Sequence, residues 1–141
     1  MKKYIIEPEV AGQLGDDTVL NYSTKPPIIE KLNYEFDDWL GDDFIEGFQC
    51  FICSERLAEY IKKQNLTGYT FDDCKITKSQ FFNDLHEDGL ILPLFYWFKI
   101  IGNENDDFFI VPNSMLVVSQ HALETLQAFN MDRCQIQEYE K

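Results

Sequence analysis

Residues 51–66, FICSERLAEYIKKQNL, lie over residues 116–131, LVVSQHALETLQAFNM, in one gap-free register 65 residues apart. Ser54 falls on Ser119, Glu59 on Glu124, Asn65 on Asn130 and Leu66 on Met131, while Leu57, Ala58 and Ile61 fall on Ala122, Leu123 and Leu126. Each copy carries the same physical content. A short apolar run with β-branched residues predicts a buried strand. The serine after it is a natural N-cap, because its hydroxyl accepts from a backbone N–H that the first helical turn leaves unpaired. Apolar residues at i, i+1 and i+4 then mark one face of a helix. In the first copy Glu59 and Lys63 make an i,i+4 pair on its exposed side. Asn65 and Asn130 suit a left-handed helix end. An extended segment comes after each helix, Tyr69 to Asp72 and Cys134 to Tyr139. The unit is strand–serine–helix–strand, used twice.

These units predict an α+β fold. It is a single domain over residues 1–141, built around two strand–helix–strand units (48–73 and 115–139) with additional strands in a mixed sheet. Residues 1–30 supply N-terminal strands at Lys3 to Ile6 and Thr18 to Tyr22, and Pro26-Pro27 forces the chain to be extended there. Asp37 to Glu46 predicts a short helix or two turns around Gly41. Ser79 to Leu85 predicts a helix that buries Phe81, Phe82 and Leu85. Glu87-Asp88-Gly89 is a turn, Leu90 to Ile101 a long apolar strand, and Phe108 to Val111 a strand after a loop. No linker divides the chain, whose length suffices for one core without disulfides or metal.

The chain carries 25 Asp and Glu against 12 Lys and Arg, a net charge of −13. Nucleic acid and anionic lipid are bound by Lys and Arg that neutralise phosphate, so neither is an expected partner. A basic protein is. Surplus carboxylate also serves plain solubility. The opening residues MKKYIIEPEV set only three apolar residues between the lysines and Glu7, far short of a secretory signal. The longest apolar run, Leu90 to Phe98, is broken by Pro93 and too short to span a bilayer. The expectation is a cytoplasmic protein whose Cys50, Cys53, Cys74 and Cys134 are free thiols.

Cys50 and Cys53 have the C-x-x-C spacing of redox and zinc sites, which is the basis for a reading as a small thiol- or metal-dependent enzyme. Residues three apart on a strand point to opposite faces, however. A second such pair is absent, and His86 and His121 show no ligand spacing, so no metal or other cofactor is expected. His86 stands beside Asp84, Glu87 and Asp88 in the manner of a general base. His121 opens the second helix where Arg56 opens the first. Ser54 and Ser119 sit between strand and helix as a nucleophile elbow does, but without the glycines of G-x-S-x-G; capping accounts for both. Phosphate-binding glycine loops are absent, and Asp42-Asp43 and Asp106-Asp107 lack the register of a calcium loop. No catalytic residue is expected.

Residues 35–48, EFDDWLGDDFIEGF, interleave six acids with Phe36, Trp39 and Phe44. Aromatic anchors ringed by carboxylates suit a basic protein partner, since the rings supply buried area and the charges speed encounter. Glu35, Asp37, Asp38, Trp39, Asp42, Asp43 and Glu46 are therefore the candidate partner-binding residues. The competing reading makes Trp39, Leu40, Phe44 and Ile45 core and the acids its wet side.

Residues 51–61, FICSERLAEYI, followed by Asn65-Leu66-Thr67-Gly68-Tyr69-Thr70-Phe71, resemble the V-S-E-R-L … L-T-G … F signature of bacterial polymorphic-toxin immunity proteins, in particular the groups catalogued as immunity protein family eleven and its neighbour forty-three. The second copy, from Leu116 to Leu126, is similar to the C-terminal part of such proteins. The resemblance covers residues 35–141 and departs from the pattern at Cys53 and at Gln120-His121. It implies a non-catalytic binding protein that neutralises a cognate toxin domain, basic and nuclease-type, with no active-site residues to carry across. A structural or adaptor protein for some other basic partner would share the surface but not the rescue of a poisoned cell.

Overall fold

The computed structural model describes residues 2–140. In chain order its first half holds β1 (Lys3–Glu7), β2 (Glu9–Val10), β3 (Gly12–Leu14), β4 (Val19–Asn21), β5 (Ile28–Lys31), β6 (Asn33–Phe36), β7 (Phe44–Gly47), β8 (Cys50–Ser54) and α1 (Glu55–Lys62). The second half holds β9 (Tyr69–Asp72), β10 (Lys75–Lys78), α2 (Gln80–Leu85), β11 (Phe95–Ile100), β12 (Phe108–Ile110), β13 (Leu116–Ser119), α3 (Gln120–Leu126) and β14 (Gln135–Glu138). This is the α+β fold that the repeat predicts.

At the centre is a five-stranded sheet in the order β2-β7-β8-β11-β9. Its middle strands read as unbroken apolar runs because both faces are covered, and their alternation sorts side chains between two cores. Phe44, Phe51, Cys53 and Phe98 point to one side, where α1, α3 and the sheet β12-β13-β1-β14 close the first core. Ile45, Cys50, Ile52, Phe95 and Trp97 point to the other, against the sheet β10-β6-β3, the β4-β5 pair and Phe82 of α2.

Both predicted capped helices are present. Ser54 Oγ accepts from the Leu57 N–H and Ser119 Oγ from the Ala122 N–H. Helices of eight and seven residues are too short to persist alone. What holds them is burial of Leu57, Ala58 and Ile61 in one and Ala122, Leu123 and Leu126 in the other, about 2 kcal/mol for each Leu or Ile. Asn65 is left-handed, with φ 54°. On α1 the ion pair is Glu59 with Lys62, at i,i+3; Lys63 is the C-cap and does not take the expected place.

The repeat extends upstream of the aligned residues. β7 and β8 form a hairpin with Phe44 opposite Cys53, and β12 and β13 a hairpin with Phe108 opposite Val118. Each hairpin opens Asp-Asp-Phe, at residues 42–44 and 106–108. The second tip is one residue longer, which hides the match from a gap-free alignment.

Three expected elements differ. Residues 37–43 are irregular and 44–47 are strand, not helix. The N–H groups of Asp37 and Asp38 go to Ala11 O, those of Leu40 and Asp42 to the Glu9 carboxylate, and that of Asp43 to Asn130 O. With those donors committed to distant acceptors, no i→i−4 ladder forms. The long strand begins only at Phe95. Pro93 has no N–H to give, and the partner strand β8 ends at Ser54, opposite Phe95, where its chain turns into α1. Of the three expected buried residues in α2 only Phe82 is buried; Phe81 and Leu85 are exposed, because this six-residue helix turns a single face inward.

Candidate functional site

The two hairpins exchange aspartates. The buried Asp43 carboxylate accepts from Ser54 Oγ, from Arg56 Nε and Nη2 at 2.8 Å each, and from the Asn130 N–H at 3.0 Å. Asp43 N–H returns a bond to Asn130 O at 2.9 Å. In the second hairpin Asp107 accepts from Ser119 Oγ at 2.6 Å and from the Thr67 N–H at 2.9 Å, while its own N–H goes to Thr67 O at 3.1 Å. Each aspartate thus holds the cap of its own helix and the chain just beyond the other copy's helix. Gly68 comes directly after Thr67 with φ +97°, and a Cβ there would lie 2.3 Å from Phe108 O. The L-T-G stretch therefore needs its glycine to let the two copies meet. Burial alone would raise the Asp43 carboxyl, but the Arg56, Ser54 and Asn130 hydrogen bonds outweigh it and hold the group below the ordinary range.

This arrangement removes Asp42 and Asp43 from the candidate partner surface. Both are buried; Asp42 accepts from the Arg133 N–H at 2.8 Å, with its carboxyl pushed up chiefly by burial. Trp39 is half-buried. Its indole N–H goes to Asp42 O at 2.8 Å and its ring stands edge-on to Phe95, so it serves as a clamp on the loop and not as a free anchor. Asp38 lies 2.7 Å from His86 Nε2, and that contact holds its carboxyl down. His86 thus faces Asp38 and not its sequence neighbours. Glu35, on β6, touches Thr77. Asp37 and Asp38 line one shallow concavity and Glu46 lines a different groove. The seven candidates do not form one patch.

Another set does converge near two of them. Val10 and Leu40, 69% and 57% exposed, stand between two shallow concavities of 310 and 350 Å³. Asp37 and Asp38 line the first, Glu7 and Arg133 the second, and Glu9, Val10 and Leu40 both. Glu9 is buried, and its carboxyl is raised chiefly by desolvation, opposed by the N–H groups of Leu40 and Asp42 that it accepts. It ties β2 to the loop and so sets Val10 beside Leu40. Sequence reading missed Glu7, Glu9 and Val10, since no local pattern couples Glu9 to a residue 31 positions away.

The two thiols of the C-x-x-C stay apart. Cys50 lies in the second core and Cys53 in the first, on opposite faces of β8. Burial pushes Cys50, Cys74 and Cys134 up to about 12, and Cys53 upward as well. Among the described residues no group of three or more His, Cys, Asp or Glu is gathered as metal ligands, and no helix is long and apolar enough to cross a membrane. No protein-family model, no curated protein and no solved structure matches the chain. The resemblance to immunity proteins rests on residues 51–71 and 116–126 alone.

Proposed function

We propose that this chain is a non-catalytic binding protein that neutralises a cognate toxin domain with a basic surface. The observation that carries the reading is the face around Val10 and Leu40: two exposed apolar side chains with Glu7, Asp37 and Asp38 about them and, among the described residues, Arg133 as the only Lys or Arg lining either concavity. Apolar contact there would supply affinity, while the carboxylates and the net charge of −13 would speed encounter with a cationic partner. The strand–serine–helix motifs that resemble the immunity proteins give this partner its class.

The test is co-expression with the toxin candidate encoded next to this chain's gene. Rescue of growth, a 1:1 complex and an affinity that falls as salt rises are expected. Killing at the same rate with and without this protein rejects the proposal. Charge reversal at Asp37 together with Glu7 should slow association more than it speeds dissociation, measured by stopped-flow mixing or surface kinetics.

A further inference from the structure

The two hairpin tips, β7–β8 and β12–β13, open onto one groove of 590 Å³. Gln49 and Ser114 occupy matching places in the two copies, 65 residues apart; both line this groove, and both have positive φ, 56° and 67°. Two non-glycine residues with positive φ at equivalent tips give the two turns a shared shape. Ile28, Phe48, Ile101 and Ile110 also line it, each at least 42% exposed. Exposed apolar side chains gathered in one concavity are uncommon on a free surface.

Among the described residues two charged side chains line the same groove. Lys99 is engaged: its ammonium lies 4.5 Å from the centre of the Trp97 ring and 3.4 Å from Asp72. Glu46 is not. Among the described residues no cation or hydrogen-bond donor reaches its carboxylate, and Glu7 is a like charge nearby. Val10 pairs with Glu46 across β2 and β7, so the groove adjoins the Val10–Leu40 face.

Resting on the reading as a binding protein, we propose that this groove seats an apolar side chain of the basic partner, with a partner Lys or Arg beside it on Glu46. The unanswered carboxylate selects a cationic neighbour for the apolar anchor. A second copy of this chain fits worse, because it would bring another net charge of −13 against the first.

The probes are two capped tripeptides, acetyl-Leu-Phe-Arg-amide and acetyl-Leu-Phe-Glu-amide, titrated at pH 8, where the Glu46 carboxyl is ionised, into ¹⁵N-labelled full-length protein. The Arg peptide should move the amides of Phe48, Gln49 and Ser114 with a dissociation constant of about 1 mM. The Glu peptide should bind roughly threefold more weakly, the size of a part-exposed ion pair, and Glu46→Gln should erase the difference. Equal response to both peptides, no response, shifts confined to Val10 and Leu40, or the same amides moving with protein concentration alone would each overturn the assignment. A second arm separates this proposal from the function it rests on. If the wild type rescues cells and the Phe48→Arg, Ile101→Arg variant, folded by its spectrum, rescues equally, the groove is wrong and the function stands. If the wild type does not rescue, the functional reading fails, and the titration still decides what the groove selects.

Discussion

The two hairpin–helix copies share a backbone and differ in how tightly each aspartate is held. Asp43 is buried and receives a two-pronged Arg56 in addition to its serine cap. Asp107 is half-exposed, and among the described residues no arginine pairs with it: His121 stands at the place of Arg56, exposed, and no hydrogen bond or ion pair joins it to Asp107. One geometry is thus used twice, once around a buried carboxylate paired with a half-exposed arginine and once as a wet hydrogen-bonded joint. Groups buried around a charge depend on it far more than groups that water can reach, so the first joint should dominate stability.

Asp43→Ala is the most direct way to break that comparison. It strands the Asn130 N–H and the Ser54 hydroxyl and leaves Arg56 unpaired, an expected loss of about 3 kcal/mol read from urea unfolding. Asp107→Ala removes bonds whose partners water can replace, and about 1.5 kcal/mol should be lost. Equal losses would mean that the arginine and the burial do not separate the two joints. Arg56→His makes the first copy resemble the second and should cost about 1 kcal/mol, at the upper end for a half-exposed pair. The reverse change, His121→Arg, should add at most about 0.5 kcal/mol, seen as a small rise in Tm.

Acidity sharpens the contrast further. The Asp43 carboxyl, held below its ordinary value, contributes stability above the unfolded value near 3.8 and loses it as pH falls through the folded value. Glu46 has the opposite sign. Burial first and the Glu7 charge second raise it from 4.5 to about 7, so the native state takes up that proton before the unfolded chain does. The Glu46 contribution to stability should therefore rise as pH is lowered from above 7 towards 4.5. Glu46→Gln should lack this contribution and be more stable than wild type above pH 7, by about 0.5 kcal/mol once solvent screening is allowed for. Melting curves at pH 5 and pH 8 measure both the sign and the window.

The elements that are legible in the chain are those with local causes. Ser54 and Ser119 cap because a hydroxyl before a helical turn has an N–H to accept from, and Leu57, Ala58 and Ile61 face inward because of helical spacing. Cys50 and Cys53 separate because a strand alternates, here into two different cores. The loop at 37–43 departs from its expected helix for a reason that is not local: Glu9, Ala11 and Asn130 take its N–H groups. The candidate site suffers likewise. Asp42 and Asp43 look like surface acids in a row of acids, and only the fold shows that they are internal acceptors.

By itself the sequence determined the class of fold, the two capped helices, the apolar strands and the excess of negative charge, since each comes from short-range spacing or from a count. Which carboxylates are buried, how the aspartate of one copy grips the chain beyond the other, and that Val10 meets Leu40 while both hairpin tips open onto one groove were decided by tertiary structure alone. Those outcomes rest on pairing backbone groups and burying side chains between residues tens of positions apart, and such pairings leave no trace in local order.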